Sequence, residues 1–345
     1  MSRSVVTLSL AALLLISLVL SQVHSLQTGR SAASSRKSLG PRQAQEWTTD
    51  GPKPFWAIAH RVLCAEEVRA AVSDGANAIE VDLAVTNRKW YADHHDFGRS
   101  TFKGHEAWKV FQEVSKLFQK DNRNISFVWF DLKTPDKCEP MDEQCGIKVL
   151  HDLYRQYLRP HTVHVLWGFY EKEIGSPAMN WIRDNMDRGA ALNIDGNFQT
   201  VKNTFDSFGL NVTKRIPVTP DYFDIRGLGR EQQRVYSNGL FKPGALFGSF
   251  FKSCSTDSDG ICGQLIKAIQ SNYFGKVFSW TVSISNEEEA QKTMDIGVDG
   301  LIYGQSTSSY GEANRNPKKA LDHIMNWIKK HPDKMYRARP EDKPW

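Results

Sequence analysis

The chain has 345 residues, and its 44 lysines and arginines against 39 aspartates and glutamates leave a net charge of +5. The basic residues are scattered rather than striped with aromatics, which leaves nucleic acid out as a partner, while the small positive balance suits an anionic lipid surface. No segment after the first 25 residues is apolar enough to span a bilayer, so no stable transmembrane anchor is expected.

The start reads as a targeting segment. Met1-Ser2-Arg3 is followed by an apolar block from Leu8 to Leu20 and by small polar residues from Ser21 to Ser25. That order describes a secretory signal peptide over residues 1–25, with cleavage near His24-Ser25, and predicts an extracellular protein. Residues 26–51 are rich in Ser, Arg, Gln and Gly and read as a flexible leader or propeptide, with Arg36-Lys37 as a candidate processing site. The remaining chain of about 290 residues suits one large domain or two small ones.

Strand-like and helix-like segments then alternate. Phe55 to His60 is a strand, Ala65 to Ser73 an amphipathic helix, and Asp74-Gly75-Ala76-Asn77 a break before a strand from Ala78 to Ala84. A short extra strand runs from Lys89 to His94. Trp108, Phe111, Val114, Leu117 and Phe118 give helical spacing to Glu106–Lys120. Ile125 to Lys133 reads as a strand and Cys145 to Leu158 as a helix. Thr162–Phe169, Ala190–Ile194, Ala245–Phe250, Val277–Val282 and Gly300–Tyr303 are further strand candidates, with helices over Glu287–Asp295 and Pro317–Lys330. Residues 197–242 are rich in Gly, Pro and Asn and receive no assignment. Such alternation predicts an α/β fold with a parallel sheet, either a (β/α)8 barrel or an open doubly wound sheet. A barrel collects charged residues at the C-terminal ends of several strands. His60, Glu80, Asp82, His94, Asp131 and Trp280 all fall there, which favours the barrel.

Those strand ends carry the chemistry. Glu80 and Asp82 are two apart, so on a strand they share a face. Paired buried carboxylates are costly unless neutralised, and a hard divalent cation is the usual answer. Asp131 and Lys133 repeat the spacing, and His60 and His94 add two imidazoles. Together these are the equipment of a phosphodiesterase. Alternation along Trp90, Ala92 and His94 selects His94, whereas a His-Asp register selects His95. Of five cysteines, Cys138 with Cys145 and Cys254 with Cys262 lie in loop-like stretches and read as local disulfides, although other pairings are open. Cys64 reads as a buried thiol within a helix. Asn124-Ile125-Ser126 and Asn211-Val212-Thr213 are glycosylation sequons. Tyr170, Phe250 and Phe251 are read as core rather than as a membrane-touching rim.

The ordered set Ala57-Ile58-Ala59-His60-Arg61, Gly75 to Asp82, Trp90-Tyr91-Ala92-Asp93-His94, Phe130-Asp131-Leu132-Lys133, Gly168-Phe169-Tyr170, Ser279-Trp280-Thr281-Val282 and Val298-Asp299-Gly300-Leu301-Ile302 resembles the sphingomyelinase D family of secreted phospholipases D, nearest its bacterial and fungal branch. Asp342-Lys343-Pro344-Trp345 is similar to that family's plug tail. The resemblance implies a distorted single-domain (β/α)8 barrel over residues 52–335 with a plug over 336–345, acting as a monomer. It further implies one Mg2+ held by Glu80, Asp82 and Asp131, catalytic His60 and His94, and a substrate site lined by Lys133 and Trp280. The implied reaction releases choline from sphingomyelin or lysophosphatidylcholine at a membrane surface, often with a cyclic phosphate as product. Cation–π contact with Trp280 suits the choline ammonium. Ser283 and Gly304 stand where spider enzymes carry Asp and Asn, so headgroup preference is expected to differ. A glycerophosphodiester phosphodiesterase shares the His60-Arg61 start and the Glu80/Asp82 pair, but the Pro-Trp tail disfavours it. The intact polar set argues against a lipid-binding module with a dead site.

Overall fold

The computed structural model describes residues 51–94, 104–120, 125–208, 233–239, 254–283, 287–305, 308–311 and 316–345. The expected signal peptide, all of the expected leader but Gly51, His95, Asn124, Asn211, Phe250, Phe251 and the strand expected over Ala245–Phe250 lie outside the described residues.

Runs such as Phe-Val-Trp-Phe-Asp-Leu are apolar on both faces, which suits strands covered on both sides. The strands are β1 (Lys53–Ala59), β2 (Ala78–Thr86), β3 (Lys89–Ala92), β4 (Phe127–Leu132), β5 (His164–Tyr170), β6 (Ala190–Asp195), β7 (Arg234–Gly239), β8 (Lys276–Val282), β9 (Gly300–Tyr303) and β10 (Met335–Arg337). The parallel order β1-β2-β4-β5-β6-β7-β8-β9 closes on itself, because β1 pairs with both β2 and β9. This closure excludes the open sheet. A register shift between Ser279 and Val282 distorts the β8–β9 seam. β3 folds back antiparallel on β2, and β10 pairs with β1.

A helix follows each barrel strand. These are α1 (Ala65–Asp74), α2 (Ala107–Gln119), α3 (Ile147–Tyr157), α4 (Pro177–Asn185), α5 (Phe198–Ser207), α6 (Ile261–Gln270), α7 (Glu287–Asp295) and α8 (Pro317–Lys330). Ser176 and Asn197 cap α4 and α5 by accepting main-chain N–H groups of the first turn. Between strands and helices lies the larger core; a second fills the barrel with Trp56, Ile58, Phe127, Trp129, Leu166 and Phe278.

The structure corrects several boundaries. The sixth barrel strand is Arg234–Gly239, inside the stretch that received no assignment, and α5 also starts there. Helices α4 and α6 carry no expectation from sequence. Helix α3 begins at Ile147, because Cys145 is tied back to Cys138 across 5.8 Å between Cα atoms. Cys254 and Cys262 are likewise bonded. Cys64 is buried and unbonded, but it caps α1 rather than lying within it. β3 ends at Ala92, so His94 lies beyond the strand.

The segment after β10 turns beneath the barrel. Asn77 holds it there, accepting from Ala57 N and donating to the Ala338 carbonyl at 3.0 Å. Trp345 is buried against Phe127 and His164, with ring centroids 5.3 and 5.5 Å away, both at the N-terminal ends of their strands. No helix among the described residues is long and apolar enough to cross a membrane.

Candidate active site

Inward-facing positions change character along each strand. In β2, Ala78 is succeeded by Glu80 and Asp82; in β4, Phe127 and Trp129 by Asp131; in β6, Ala191 by Asn193 and Asp195. Strand periodicity puts each series on one face, apolar at the bottom and polar at the carboxyl end. A cavity of about 200 Å³ opens at that end, lined by His60, Arg61, Glu80, His94, Asp131, Lys133, Tyr170, Asp195 and Trp280.

Register builds the acidic cluster. β2 and β4 pair so that Asp82 lies beside Asp131, and ligand atoms of Glu80, Asp82 and Asp131 fall within 4.8 Å of one another, all buried. Burial, then the carboxylates of Asp82 and Asp131, push Glu80 well above the usual carboxylate range. Burial also opposes ionisation of Asp82, but Lys133, His94 and Arg61 outweigh it and hold that carboxyl at about 2. Lys133 pairs with Asp131 and lies 3.3 Å from Asp82 Oδ1. Burial works against its charge, yet the surrounding carboxylates raise it well above the ordinary lysine value. Arg61, in left-handed backbone at φ +54°, brings Nε to 3.1 Å from Asp82 Oδ2 and donates its main-chain N–H to Glu80. Both carboxylate oxygens of Asp82 are enclosed and accept no hydrogen bond. Three enclosed carboxylates in a set of oxygen ligands only fit a hard cation, and the three acids could hold one.

The histidines flank this cluster at different depths. His60 Nδ1 lies 2.7 Å from the Gln305 carbonyl oxygen. A carbonyl only accepts, so Nδ1 carries the hydrogen and Nε2 keeps its lone pair. Nε2 lies 3.7 Å from Glu80 Oε2. Burial first, then Arg61 and Lys133, push His60 down to about 3, so the ring is neutral. His94 Nε2 is 3.9 Å from Asp82 Oδ2, and its side chain is 24% exposed against 9% for His60, placing it nearer the mouth.

On the opposite wall, Trp280 Nε1 donates to Asp195 Oδ2 at 2.5 Å, and Ser237 donates to the same oxygen at 2.9 Å. Asn193 donates in turn to Ser237. Burial raises Asp195 to about 6 against these two hydrogen bonds. The indole fits because Gly239 has no side chain; a Cβ there would collide with the ring.

His60, His94, Glu80, Asp82, Asp131, Lys133 and Trp280 therefore meet at one end of the barrel, as the sequence predicts. Tyr170 joins them, contrary to its reading as core. Its hydroxyl donates to Asp131 and accepts from Lys133, each at 2.9 Å. Sequence reasoning also missed Arg61, Asn193, Asp195 and Ser237. Asn193 and Asp195 carried a usable signal, the same two-residue spacing at the end of an apolar run that drew attention to Glu80 and Asp82.

A cation-ready carboxylate cluster, flanked by imidazoles at the carboxyl end of a closed barrel, belongs to a phosphodiesterase. The Sphingomyelinase D/Phospholipase D family profile matches residues 50–345, and the chain belongs to that family of phospholipase D-type enzymes. It is 36% identical to a sphingomyelinase D of Arthroderma benhamiae, over 89% of this chain and 82% of that one. A sphingomyelinase D of Trichophyton rubrum is 35% identical over 85% of this chain and 81% of its own. A dermonecrotic toxin of a Loxosceles spider is 21% identical over 84% and 98%.

Proposed function

We propose that this protein is a secreted, monomeric, Mg2+-dependent phospholipase D that releases choline from sphingomyelin or lysophosphatidylcholine at a membrane surface, leaving a cyclic phosphate. The observation that carries this reading is the meeting of Glu80, Asp82 and Asp131 within 4.8 Å, between His60 and His94. Glu80, Asp82 and Asp131 would hold the ion, which would supply Lewis-acid withdrawal of charge from a phosphate oxygen. Lys133 adds a second positive contact to the same phosphate. His60 Nε2 takes the proton of a substrate hydroxyl, whose oxygen then bonds to phosphorus. His94, nearer the mouth, gives a proton to the departing choline oxygen. Trp280 packs its face on the quaternary ammonium. Two local disulfides and the signal-like start support the extracellular setting.

Phosphorus NMR of the purified protein with sphingomyelin and lysophosphatidylcholine vesicles, with Mg2+ and with EDTA, tests the reading. A cyclic-phosphate resonance that appears only with metal is the expected result. Turnover of glycerophosphocholine with unchanged lipids would instead make it a phosphodiesterase of small soluble diesters.

A further inference from the structure

We infer that Gly304 is a positioning residue for His60, and that its lack of a side chain sets which nitrogen of that ring is free to react. The inference rests on the reading of His60 as a reacting group. Gly304 follows β9 directly and sits between two strands. Its N–H donates to the Val282 carbonyl at the end of β8, at 2.8 Å. On its other side His60, the residue after β1, donates its main-chain N–H to the Tyr303 carbonyl at 2.9 Å. Gly304 takes φ +145°, a conformation L side chains rarely adopt. A Cβ built on it would lie 3.1 Å from His60 Cβ. Both facts bear on the next residue, since this backbone turn presents the Gln305 carbonyl to His60 Nδ1 at 2.7 Å.

A main-chain acceptor here differs from a side-chain one. It cannot rotate away, and it cannot donate, so it permits only the Nδ1–H form of a neutral ring. The chain beyond it is also anchored. Tyr310 N donates to the Arg61 carbonyl at 3.1 Å, Tyr310 OH to Asp74 at 2.9 Å, and Gly311 N to Glu67 at 3.0 Å. The bond from Gly304 N to Val282 holds the strand end that carries this carbonyl, and the joint that lets it face the ring is Gly304. A side chain at 304 displaces either the His60 ring or the Gln305 peptide, and Nε2 loses its defined lone pair.

Gly304→Ala is the test, read by choline release from sphingomyelin vesicles with Mg2+ and by nitrogen NMR of 15N-histidine-labelled protein, beside His60→Ala. The expected result is a fall in kcat of about tenfold or more with KM within about twofold, and a mixture of ring tautomers at His60 where the parent shows Nδ1–H alone. Wild-type kcat and an unchanged tautomer in G304A, with H60A inactive, would overturn the positioning role. Activity retained in H60A would overturn the functional reading instead, and the tautomer would still test the role of Gly304. Should G304A fail to fold, the parent protein decides: a His60 proton on Nε2 sinks the proposal.

Discussion

The indole N–H of Trp280, on β8, reaches across β7 to donate to Asp195 Oδ2, on β6, at 2.5 Å. Ser237 of the intervening strand donates to the same oxygen at 2.9 Å. Three adjacent strands therefore fix the plane of one aromatic ring in the cavity wall. Removing a partner from such a bond costs about 1–3 kcal/mol. Trp280→Phe keeps an aromatic face but deletes the donor. Its kcat/KM for choline release is expected to fall about tenfold, the equivalent of 1.4 kcal/mol in that range. Steady-state kinetics on sphingomyelin vesicles check this, and parent-like kinetics would show that the indole N–H orients nothing.

The acidic cluster makes a thermodynamic prediction that does not depend on turnover. Burial and the carboxylates of Asp82 and Asp131 work against a charge on Glu80, and neither Asp82 oxygen accepts a hydrogen bond, so a bound cation should stabilise the fold. At a concentration about 100 times its dissociation constant, Mg2+ should add about 2.7 kcal/mol and raise the unfolding midpoint. EDTA should reverse the shift. Asp82→Asn should abolish it, together with choline release. Calorimetry with and without metal measures this, and a D82N protein that still gains stability from Mg2+ would place the ion elsewhere.

Much of the site was legible because strand periodicity is simple. An apolar run that ends in charged residues two apart needs only a parity rule to predict a shared face, and Glu80 with Asp82 on β2 and Asp131 with Lys133 at the end of β4 obey it. What parity cannot supply is register: that Asp82 lies beside Asp131 depends on how β2 pairs with β4. Tyr170 escaped for that reason, since an aromatic at the end of an apolar run looks like core until its strand is placed beside Asp131 and Lys133. β7 escaped for a different one. Arg-Val-Tyr-Ser-Asn-Gly has few strong strand formers, and its inward positions are Val235, Ser237 and Gly239, small because the Trp280 ring fills the space. The positive φ of Arg61 leaves no trace in composition at all.

At the other end of the barrel the Trp345 indole is packed under Phe127 and His164. Deleting a buried aromatic costs about 3–5 kcal/mol through lost transfer energy and a residual cavity. Trp345→Ala should lower stability by that order in urea denaturation. The carboxyl-end site lies at the opposite mouth, so kcat measured below the transition should stay within about twofold. An unchanged unfolding midpoint would mean that the tail does not plug the barrel.

The same contact makes stability depend on acid. Burial pushes His164 down to about 4, Lys343 adds to that, and the Gly189 backbone and Asp187 only partly oppose it. A folded-state value below the ordinary 6.5 means the unfolded chain takes up a proton first as pH falls. The contribution is therefore fully present above pH 6.5 and is lost between about 6.5 and 4, by up to about 3 kcal/mol. Carboxylates titrate through part of the same window, so the useful quantity is a difference between two proteins. His164→Gln has no proton to gain, and the stability of the parent relative to H164Q should fall steadily from pH 7 to pH 4. Urea titrations of both proteins across that range measure it. Parallel curves would mean that the ring packed against Trp345 is reached by solvent and titrates as freely in the folded chain as in the unfolded one.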